Sequence, residues 1–197
     1  MIILKVNQGN LEKIIEKAGR LIKKGKIIIC PTDTVYGILS DAQNKQAVEK
    51  VFEIKKRSFK KPIPLFVKDI KMARRLAKID KTQEKFLEEV WPGKVTAILE
   101  RKKSRIKLYG VDKKTIGLRI PKYKLVNALL GKLNRPFAGT SANISGEKAS
   151  TKIEKILKQF AGRKNQPDLI LDAGCLSENK PSTVVDLTTQ PFKILRP

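Results

Sequence analysis

Short apolar segments typical of buried strands alternate with amphipathic helical segments along nearly the whole chain. The first pair is a helix over residues 11–22, with Asn10 as its cap and Gly25 as its stop, followed by a strand over residues 26–30. Because the alternation is irregular, it predicts an α/β or α+β fold with a mixed sheet rather than a strict βαβ repeat. No internal repeat or linker interrupts it, so we expect a single domain over residues 1–197.

The same two periodicities place the other elements. Further strands are predicted at residues 63–67, 95–99, 115–120, 169–171, 183–187 and 192–195. Further helices are predicted after the caps Asn44, Asp69 and Thr82, from residue 122 to a stop at Gly131, and from Thr151. Two segments rich in small polar residues, 31–37 and the run after Phe137, are predicted as loops.

The composition excludes several kinds of active site. The chain has no His, which removes a Ser-His-Asp triad, a His-rich zinc site and an imidazole base. Cys30 and Cys175 lie far apart without a CxxC motif, so a four-Cys zinc site is excluded and a reducing cytoplasm is favoured. There is neither a secretory signal nor an apolar run long enough for a membrane span, and we expect a cytoplasmic protein without membrane contact.

The positive charge is large and belongs to the whole chain. The sequence contains 43 Lys and Arg against 19 Asp and Glu, a formal net charge of +24. Residues 101–124 are the densest part, with ten basic side chains and only Asp112 opposing them. Such a field attracts polyanions and phosphorylated ligands, but a lysine-rich surface can also be simply solvated. Charge alone leaves both interpretations open.

Five segments carry more hydroxyl, amide and basic groups than ordinary turns require. They are PTDTVYG at 31–37, KKR with KK at 55–57 and 60–61, TIGLRIP at 115–121, GTSANISG at 139–146 and PSTVVD at 181–186. Each segment alone is more typical of a turn, a cap or a solvated face. The chain has no GxGxxG motif, and its SANISG segment lacks the Gly-Lys-Ser/Thr ending of a Walker loop. Together the segments favour an anion- or nucleotide-binding domain and little beyond that.

In this order and spacing, the five segments resemble the YrdC/YciO family, whose best-known members are threonylcarbamoyl-AMP synthases. The resemblance runs from about residue 9 to residue 196. It implies a YrdC-like twisted mixed sheet, flanked by helices around a wide basic cavity. It also implies an ATP-binding nucleotidyltransferase of tRNA processing, which forms threonylcarbamoyl-AMP and pyrophosphate from L-threonine, bicarbonate and ATP.

The family's site residues carry over to matching positions in this sequence. Lys55 and Arg57 would hold the triphosphate as the catalytic pair, while Thr34, Arg119 and Ser182 would bind threonine. Arg119 has the planar fork that suits the threonine carboxylate. The nucleotide would also contact Thr115, Ser141, Asn143, Ser150 and Arg196. Mg²⁺ would arrive bound to ATP, without a metal site made by the protein alone.

Two departures from the family pattern qualify the resemblance. Many synthases have a His shortly after the KxR segment, where this chain has Pro62-Ile63-Pro64-Leu65-Phe66. The sequence also stops at Pro197, without the additional domain of the longer family branch. The tRNA threonylcarbamoyl-transferase machinery is the expected partner, and direct contact with tRNA stays open. The alternative is a YciO-like or double-stranded-RNA-binding module of the same fold without synthase activity.

Overall fold

Ten strands form one mixed sheet through the structure, a computed structural model that describes residues 1–197. The strands are β1 (Ile2–Lys5), β2 (Ile28–Cys30), β3 (Gly37–Asp41), β4 (Leu65–Phe66), β5 (Val95–Glu100), β6 (Thr115–Arg119), β7 (Phe137–Ser141), β8 (Leu169–Asp172), β9 (Thr183–Asp186) and β10 (Lys193–Arg196). Their order across the sheet is β1-β8-β2-β3-β7-β4-β6-β5-β9-β10. Parallel and antiparallel neighbours both occur, which confirms the predicted mixed sheet.

Helices cover both faces of this sheet. They are α1 (Leu11–Lys23), α2 (Lys45–Lys55), α3 (Ile70–Leu76), α4 (Lys81–Val90), α5 (Lys124–Leu133) and α6 (Ile153–Phe160). Helices α1 and α5 pack into one apolar cluster, and the other four pack into a second, larger one. Successive strand residues point to opposite faces, so Ile28 joins the first cluster and Ile29 the second. No helix has both the length and the apolar character needed to cross a membrane.

Two of the predicted helix caps, Asn44 and Asp69, are confirmed. Asn44 and Asp69 each accept a hydrogen bond from the backbone N–H three residues further on. The prediction for Thr82 is wrong, because α4 begins one residue before it. Asp80 accepts from the backbone N–H of Gln83 at 2.8 Å, and the Gln83 side chain accepts from the backbone N–H of Asp80 at 3.0 Å. This reciprocal pair satisfies two otherwise free donors, and it therefore fixes the helix start.

Three other helix ends also differ from the prediction. Asn10 makes no capping bond through its side chain; instead Asn7 accepts from the backbone N–H of Asn10 at 3.0 Å and begins a 3-10 turn that leads into α1. Helix α5 passes through Gly131 and ends where Asn134 adopts a left-handed conformation with φ of 49°. Helix α6 begins two residues after Thr151.

The seven predicted strands are confirmed to within two residues at each end, but β1, β3 and β7 were missed. Strands β3 and β7 correspond to GILSD and FAGTS, whose Gly and Ser residues have low strand propensity. The two strands nevertheless pair along their full length in the middle of the sheet. A Cβ atom on Gly139 would lie 3.1 Å from the Phe66 ring, so close packing explains the small residue there.

Candidate active site

A cavity of about 300 Å³ opens over the sheet and draws together the five polar segments singled out in the sequence. Seven of the predicted site residues line it: Thr34, Arg57, Thr115, Arg119, Ser141, Ser182 and Arg196. The other three, Lys55, Asn143 and Ser150, do not reach its wall. The sheet order explains the convergence, because β3, β7, β6, β5, β9 and β10 are near neighbours although they are distant in sequence.

Arg119, the last residue of β6, is fixed by three hydrogen bonds and is only 3% exposed. Its Nη2 donates to Asp33 Oδ1 at 2.6 Å, its Nε to the Gly93 carbonyl at 2.9 Å, and its Nη1 to Thr34 Oγ1 at 3.3 Å. Its Cζ also lies 5.6 Å from the centre of the Phe66 ring. Because a guanidinium has five N–H donors, two remain for a ligand in the cavity.

Asp33 is the carboxylate that holds this arginine, and it was not among the predicted site residues. Its Oδ2 accepts from the backbone N–H of Lys122 at 2.9 Å, so both carboxylate oxygens are engaged. Burial lowers the pKa of Arg119, and the neighbouring Asp33 charge works against that shift. The polar segment 31–37 was a visible signal, but the pairing of two residues 86 positions apart was not.

Ser182, the residue before β9, is held by hydroxyl and guanidinium contacts. Its Oγ lies 2.9 Å from Oγ1 of Thr96 in β5, and this hydrogen bond is buried. Arg196 donates to the Ser182 carbonyl from Nη2 at 2.6 Å and from Nε at 3.0 Å, and its Nη2 lies 3.3 Å from Ser182 Oγ. Thr96 also lines the cavity and was missed, because an isolated Thr in a strand carries no distinguishing pattern.

Arg57 and Arg196 are the two cavity cations without a carboxylate partner. Arg57 donates to the backbone carbonyls of Lys61 and Pro62 at 3.0 and 2.9 Å, whereas Arg196 donates only to Ser182. Burial, and then the charge of Arg196, lowers the pKa of Arg57; burial also lowers the pKa of Arg196. The two guanidinium groups repel each other within one cavity. A bound anion would offset this repulsion, so the pair forms a potential anion-binding site.

Lys55 supports the loop after β7 instead of lining the cavity. Its side chain is 2% exposed, and its Nζ donates to the carbonyls of Ser141 and Asn143 at 2.6 and 2.7 Å and to Asn143 Oδ1 at 3.1 Å. Burial, and then the charge of Arg57, lowers the pKa of Lys55 to about 7. All three ammonium donors are therefore occupied. The predicted contact of Lys55 with the triphosphate requires it to give up one of these bonds, and it stays a prediction.

Asn143 and Ser150 also use their polar groups within the protein. Asn143 Oδ1 accepts from the Ser141 hydroxyl at 2.6 Å, and its Nδ2 donates to the carbonyls of Ile144 and Glu147 at 3.0 and 2.6 Å. The Ser150 hydroxyl bonds back to the chain two residues further on. These contacts shape the loop that presents Ser141 to the cavity. Direct contacts of Asn143 and Ser150 with nucleotide stay predictions.

The charge balance of the wall defines the class of ligand that fits. Three arginines line the cavity against one carboxylate, Asp112, whose Oδ1 already accepts backbone N–H bonds from Lys114 and Thr115. No group of three or more His, Cys, Asp or Glu side chains that could hold a metal occurs in the structure. The fold and the site thus define an α/β protein with a cationic, hydroxyl-lined pocket for a small ligand bearing phosphate or carboxylate groups.

The chain belongs to the Sua5/YciO/YrdC family, whose model, described as "Telomere recombination", matches residues 20–197. A Pyrococcus abyssi protein named threonylcarbamoyl-AMP synthase is 33% identical over an alignment that covers 100% of this chain but 57% of that protein. A Methanocaldococcus jannaschii relative is 35% identical over 94% of this chain and 86% of its own length. The resemblance seen in the five segments is therefore confirmed at the level of the family.

Solved structures of relatives share this fold. The crystal structure of P. abyssi Sua5 complexed with L-threonine superimposes with a TM-score of 0.89 at 31% identity, and the match covers 100% of this chain and 57% of that one. Escherichia coli YciO superimposes with a TM-score of 0.83 at 28% identity and covers 99% of this chain and 92% of that one. The predicted twisted, helix-flanked sheet is thus confirmed. The chain spans little more than half of the P. abyssi protein and nearly all of YciO.

Proposed function

We propose that this chain is a threonylcarbamoyl-AMP synthase, a nucleotidyltransferase that uses ATP, L-threonine and bicarbonate. One observation carries the proposal: a single cavity holds the anchored guanidinium of Arg119 beside Thr34, together with the unpaired guanidinium groups of Arg57 and Arg196. A carboxylate ligand and a polyphosphate ligand can thus each bind a cationic side chain in the same cavity, next to each other. The 33% identity to the P. abyssi synthase supports the same assignment.

The reaction requires two bond-forming steps and no protein nucleophile. Bicarbonate takes up one proton and loses water to give CO₂. The threonine amine attacks the carbon of CO₂ and gives a carbamate as its nitrogen releases one proton, which balances the proton taken up. A carbamate oxygen then attacks the α-phosphorus of ATP, the bond from that phosphorus to the β-phosphate oxygen breaks, and pyrophosphate leaves. Chemistry of this kind depends on positioning and on neutralising phosphate charge. The absence of His from the chain is therefore compatible with the activity.

The cysteines also fit a site without a nucleophile. Cys30 is fully buried, and burial raises the pKa of its thiol, so the reactive thiolate is suppressed. Cys175 is exposed but does not line the cavity. Catalysis here comes from bringing the carbamate and the α-phosphorus together in a cavity whose charges are already in place.

Threonine binds, in this proposal, at the end of the cavity formed by β6 and β9. The two free donors of Arg119 pair with the threonine carboxylate, and Asp33 acts as a positioning residue for that arginine. The hydroxyls of Thr34 and Ser182 hydrogen-bond to the polar groups of threonine. The Ser182 hydroxyl is held in place by Thr96, which keeps this end of the cavity ordered before the ligand arrives.

ATP binds through the cations and the loop after β7. Arg57 and Arg196 neutralise the phosphates, while Thr115 and Ser141 supply hydroxyls along the wall. Lys55 holds the loop that presents Ser141. Mg²⁺, when bound, spreads the phosphate charge and arrives with ATP, because the wall offers a single carboxylate and no cluster able to hold a metal alone.

Release of pyrophosphate tests the proposal. Purified protein with ATP and Mg²⁺ should release pyrophosphate only when threonine and bicarbonate are both present. Omitting either one should reduce the rate to the background of ATP hydrolysis, and replacing threonine by valine, which lacks the hydroxyl, should do the same. A chain that binds ATP but shows no threonine-dependent turnover would remove the synthase assignment.

The second candidate function is a YciO-like binding module of the same fold, or one that binds double-stranded RNA. The match to E. coli YciO favours it, since YciO shares 28% identity over 94% of this chain and the chain covers 89% of that protein. The two candidates differ in turnover. A binding module would retain RNA or nucleotide affinity with strong salt dependence, and it would release no pyrophosphate in the presence of threonine.

Within the proposal, the chain 1–197 acts as one catalytic unit in the cytoplasm. The product is a mixed anhydride of a carbamate and AMP, so a transferase that accepts an activated carbamoyl group must consume it. We place the tRNA threonylcarbamoyl-transferase machinery in that position.

Changing Asp33 to Asn tests the positioning of Arg119. The amide can still accept one bond from Arg119, but it loses the ionic component and half of its acceptor capacity. We expect the KM for threonine to rise about 5- to 30-fold, the range for losing about 1–2 kcal/mol from one charge-assisted bond. The KM for ATP should stay within about twofold. If both constants rise together, Asp33 maintains the fold of the cavity and does not position Arg119.

The depressed pKa of Lys55 predicts a pH-dependent stability. A lysine titrates near 10.4 in an unfolded chain, whereas burial lowers the pKa of Lys55 to about 7 in the fold. Between these values the unfolded state binds more protons, so this group makes the fold more stable as pH rises through the window. From pH 7.5 to 9.5 the free energy of unfolding should rise by about 2–3 kcal/mol more in the wild type than in Lys55→Met. Urea denaturation at both pH values measures this difference, and parallel profiles would contradict it.

A further inference from the structure

A second groove, of about 550 Å³, lies beside the mouth of the active-site cavity. It runs between α2 and the chain around residues 109–114, and three of its residues, Pro62, Val111 and Asp112, also line the cavity. One wall approaches α2 closely at Gly110, where φ is +69° and a Cβ would lie 2.7 Å from the Val48 side chain, so the absence of a side chain permits the contact. The groove is thus a formed feature of the fold, and the proposed reaction does not account for it.

Phe59 is the unusual residue of this groove. It is 65% exposed, more than any other large hydrophobic residue of the chain. One face of its ring stacks on the buried Phe52, with centroids 4.6 Å apart and planes inclined by 26°. The stacking holds the ring in place and leaves its opposite face to solvent. A nucleobase can stack on such a fixed, exposed aromatic face. Because the ring is already held in place, it loses little conformational entropy when the base binds.

Unpaired positive charge surrounds this ring. Lys60, Lys113 and Lys114 line the groove, are exposed and form no ion pair. Lys45 also lines it, and its only carboxylate neighbour is Glu49 at 3.8 Å. Asp112 Oδ1 is occupied by backbone N–H groups, which reduces the competition of that carboxylate for the lysines. The groove therefore combines an aromatic platform with ammonium groups that have no partner in the protein.

We propose that this groove binds a single-stranded segment of RNA, with an unpaired base on Phe59 and phosphates on Lys60, Lys113 and Lys114. The charge of the chain, +24, favours a polyanion over a neutral peptide. The aromatic face selects single strands, since the faces of bases in a duplex are already stacked on each other. The position beside the cavity mouth would bring such a strand next to the active site. This inference does not depend on synthase activity.

Fluorescence anisotropy with a labelled RNA of about 12 nucleotides tests the proposal. The RNA contains only A and C, so it cannot pair with itself, and a duplex of equal length serves as its comparison. Phe59→Leu should weaken binding of the single strand about tenfold, as expected for losing one base–aromatic stack. The same substitution should leave duplex binding unchanged. If the wild type and Phe59→Leu bind the single strand with equal affinity, the proposal is overturned. A thermal unfolding curve shows that the variant is folded.

The lysines are tested by the salt dependence of binding. The double variant Lys113→Ala with Lys114→Ala should make the plot of log affinity against log salt less steep by about 1.4, because each phosphate contact to a single strand contributes about 0.7 to the steepness. Lys13→Ala with Lys17→Ala is the matched control: both lysines are exposed and unpaired on α1, which packs on the other face of the sheet. An equal change in the control pair would mean diffuse binding to the whole surface, and would overturn the assignment to the groove.

Competition by ATP and by an acidic peptide tests whether RNA is the ligand of this groove. Saturating ATP should leave the RNA bound, because Phe59 and the three lysines that would hold the RNA do not line the cavity. Complete displacement would place the RNA in the cavity instead. A polyglutamate peptide of equal charge should compete weakly and should show no dependence on Phe59. If the peptide binds as tightly as the RNA and loses affinity in Phe59→Leu, the groove is a site for an acidic protein and the RNA proposal fails.

Discussion

Replacing Arg119 by Lys should raise the KM for threonine about 30-fold or more, while the KM for ATP changes less than about threefold. Lysine keeps the charge, but it cannot donate to Asp33, Gly93 and Thr34 while also forming a two-pronged contact with a carboxylate. The loss combines a bidentate, charge-assisted contact with the fixed orientation that the arginine brings. Steady-state pyrophosphate release at varied threonine and at varied ATP separates the two constants.

The choice of lysine matters, because alanine at this position would leave the buried Asp33 carboxylate without its cationic partner. Removing one member of a buried ion pair costs about 3–5 kcal/mol of stability. Arg119→Ala would thus confuse unfolding with loss of binding, and the double variant Asp33→Asn with Arg119→Lys is the better companion. Its threonine KM should resemble that of Arg119→Lys alone, since both substitutions act on one contact. Additive effects would mean that Asp33 and Arg119 act independently.

Replacing Arg57 by Ala should weaken ATP binding about 30- to 100-fold without destabilising the protein by more than about 1 kcal/mol. In the folded chain Arg57 donates only to backbone carbonyls. Burial, and then the charge of Arg196, lowers its pKa and so disfavours its charged form. The arginine thus contributes little to the fold and much to an anionic ligand. Titration calorimetry with ATP measures the affinity, and thermal unfolding measures the stability.

Lys60→Ala provides the control for Arg57→Ala. It removes the same charge from an exposed residue three positions away that does not line the cavity. ATP affinity should then change less than about threefold, as for a solvent-screened charge. Arg196→Ala should reduce ATP affinity as Arg57→Ala does. If Lys60→Ala weakens ATP as much as Arg57→Ala, the effect comes from the general field of the protein and not from a defined phosphate contact.

Most of the fold was predictable from hydrophobic periodicity, whereas only some of the capping residues marked a helix start. Strands such as β2 and β6 were found because their apolar residues are contiguous or alternate. Strands β3 and β7 were missed because small residues meet the packing demands of the sheet centre, as Gly139 does against Phe66, at the expense of strand propensity. Local preference is a weak signal there, because the tertiary contact decides the residue.

The site was predictable as a set of segments but not as a set of roles. The order and spacing of the five motifs located the cavity wall, including Arg119 and Ser182. The sequence could not show that Lys55 turns inward to hold the loop after β7, because that depends on three acceptors located 86 and 88 positions away. It also could not show that Asp33 and Thr96 hold Arg119 and Ser182. Such supporting contacts join segments that are distant in sequence, so no local sequence pattern indicates them.

Incorporation of labelled bicarbonate tests the central claim most directly. The purified full chain is incubated with ATP, Mg²⁺, threonine and ¹⁴C-bicarbonate, and the acid-labile adenylate is separated promptly by chromatography. If the chain is a threonylcarbamoyl-AMP synthase, label appears in a product that contains both threonine and AMP, with one label for each pyrophosphate released. Pyrophosphate release without incorporation of label, or ATP binding with neither, would contradict the account.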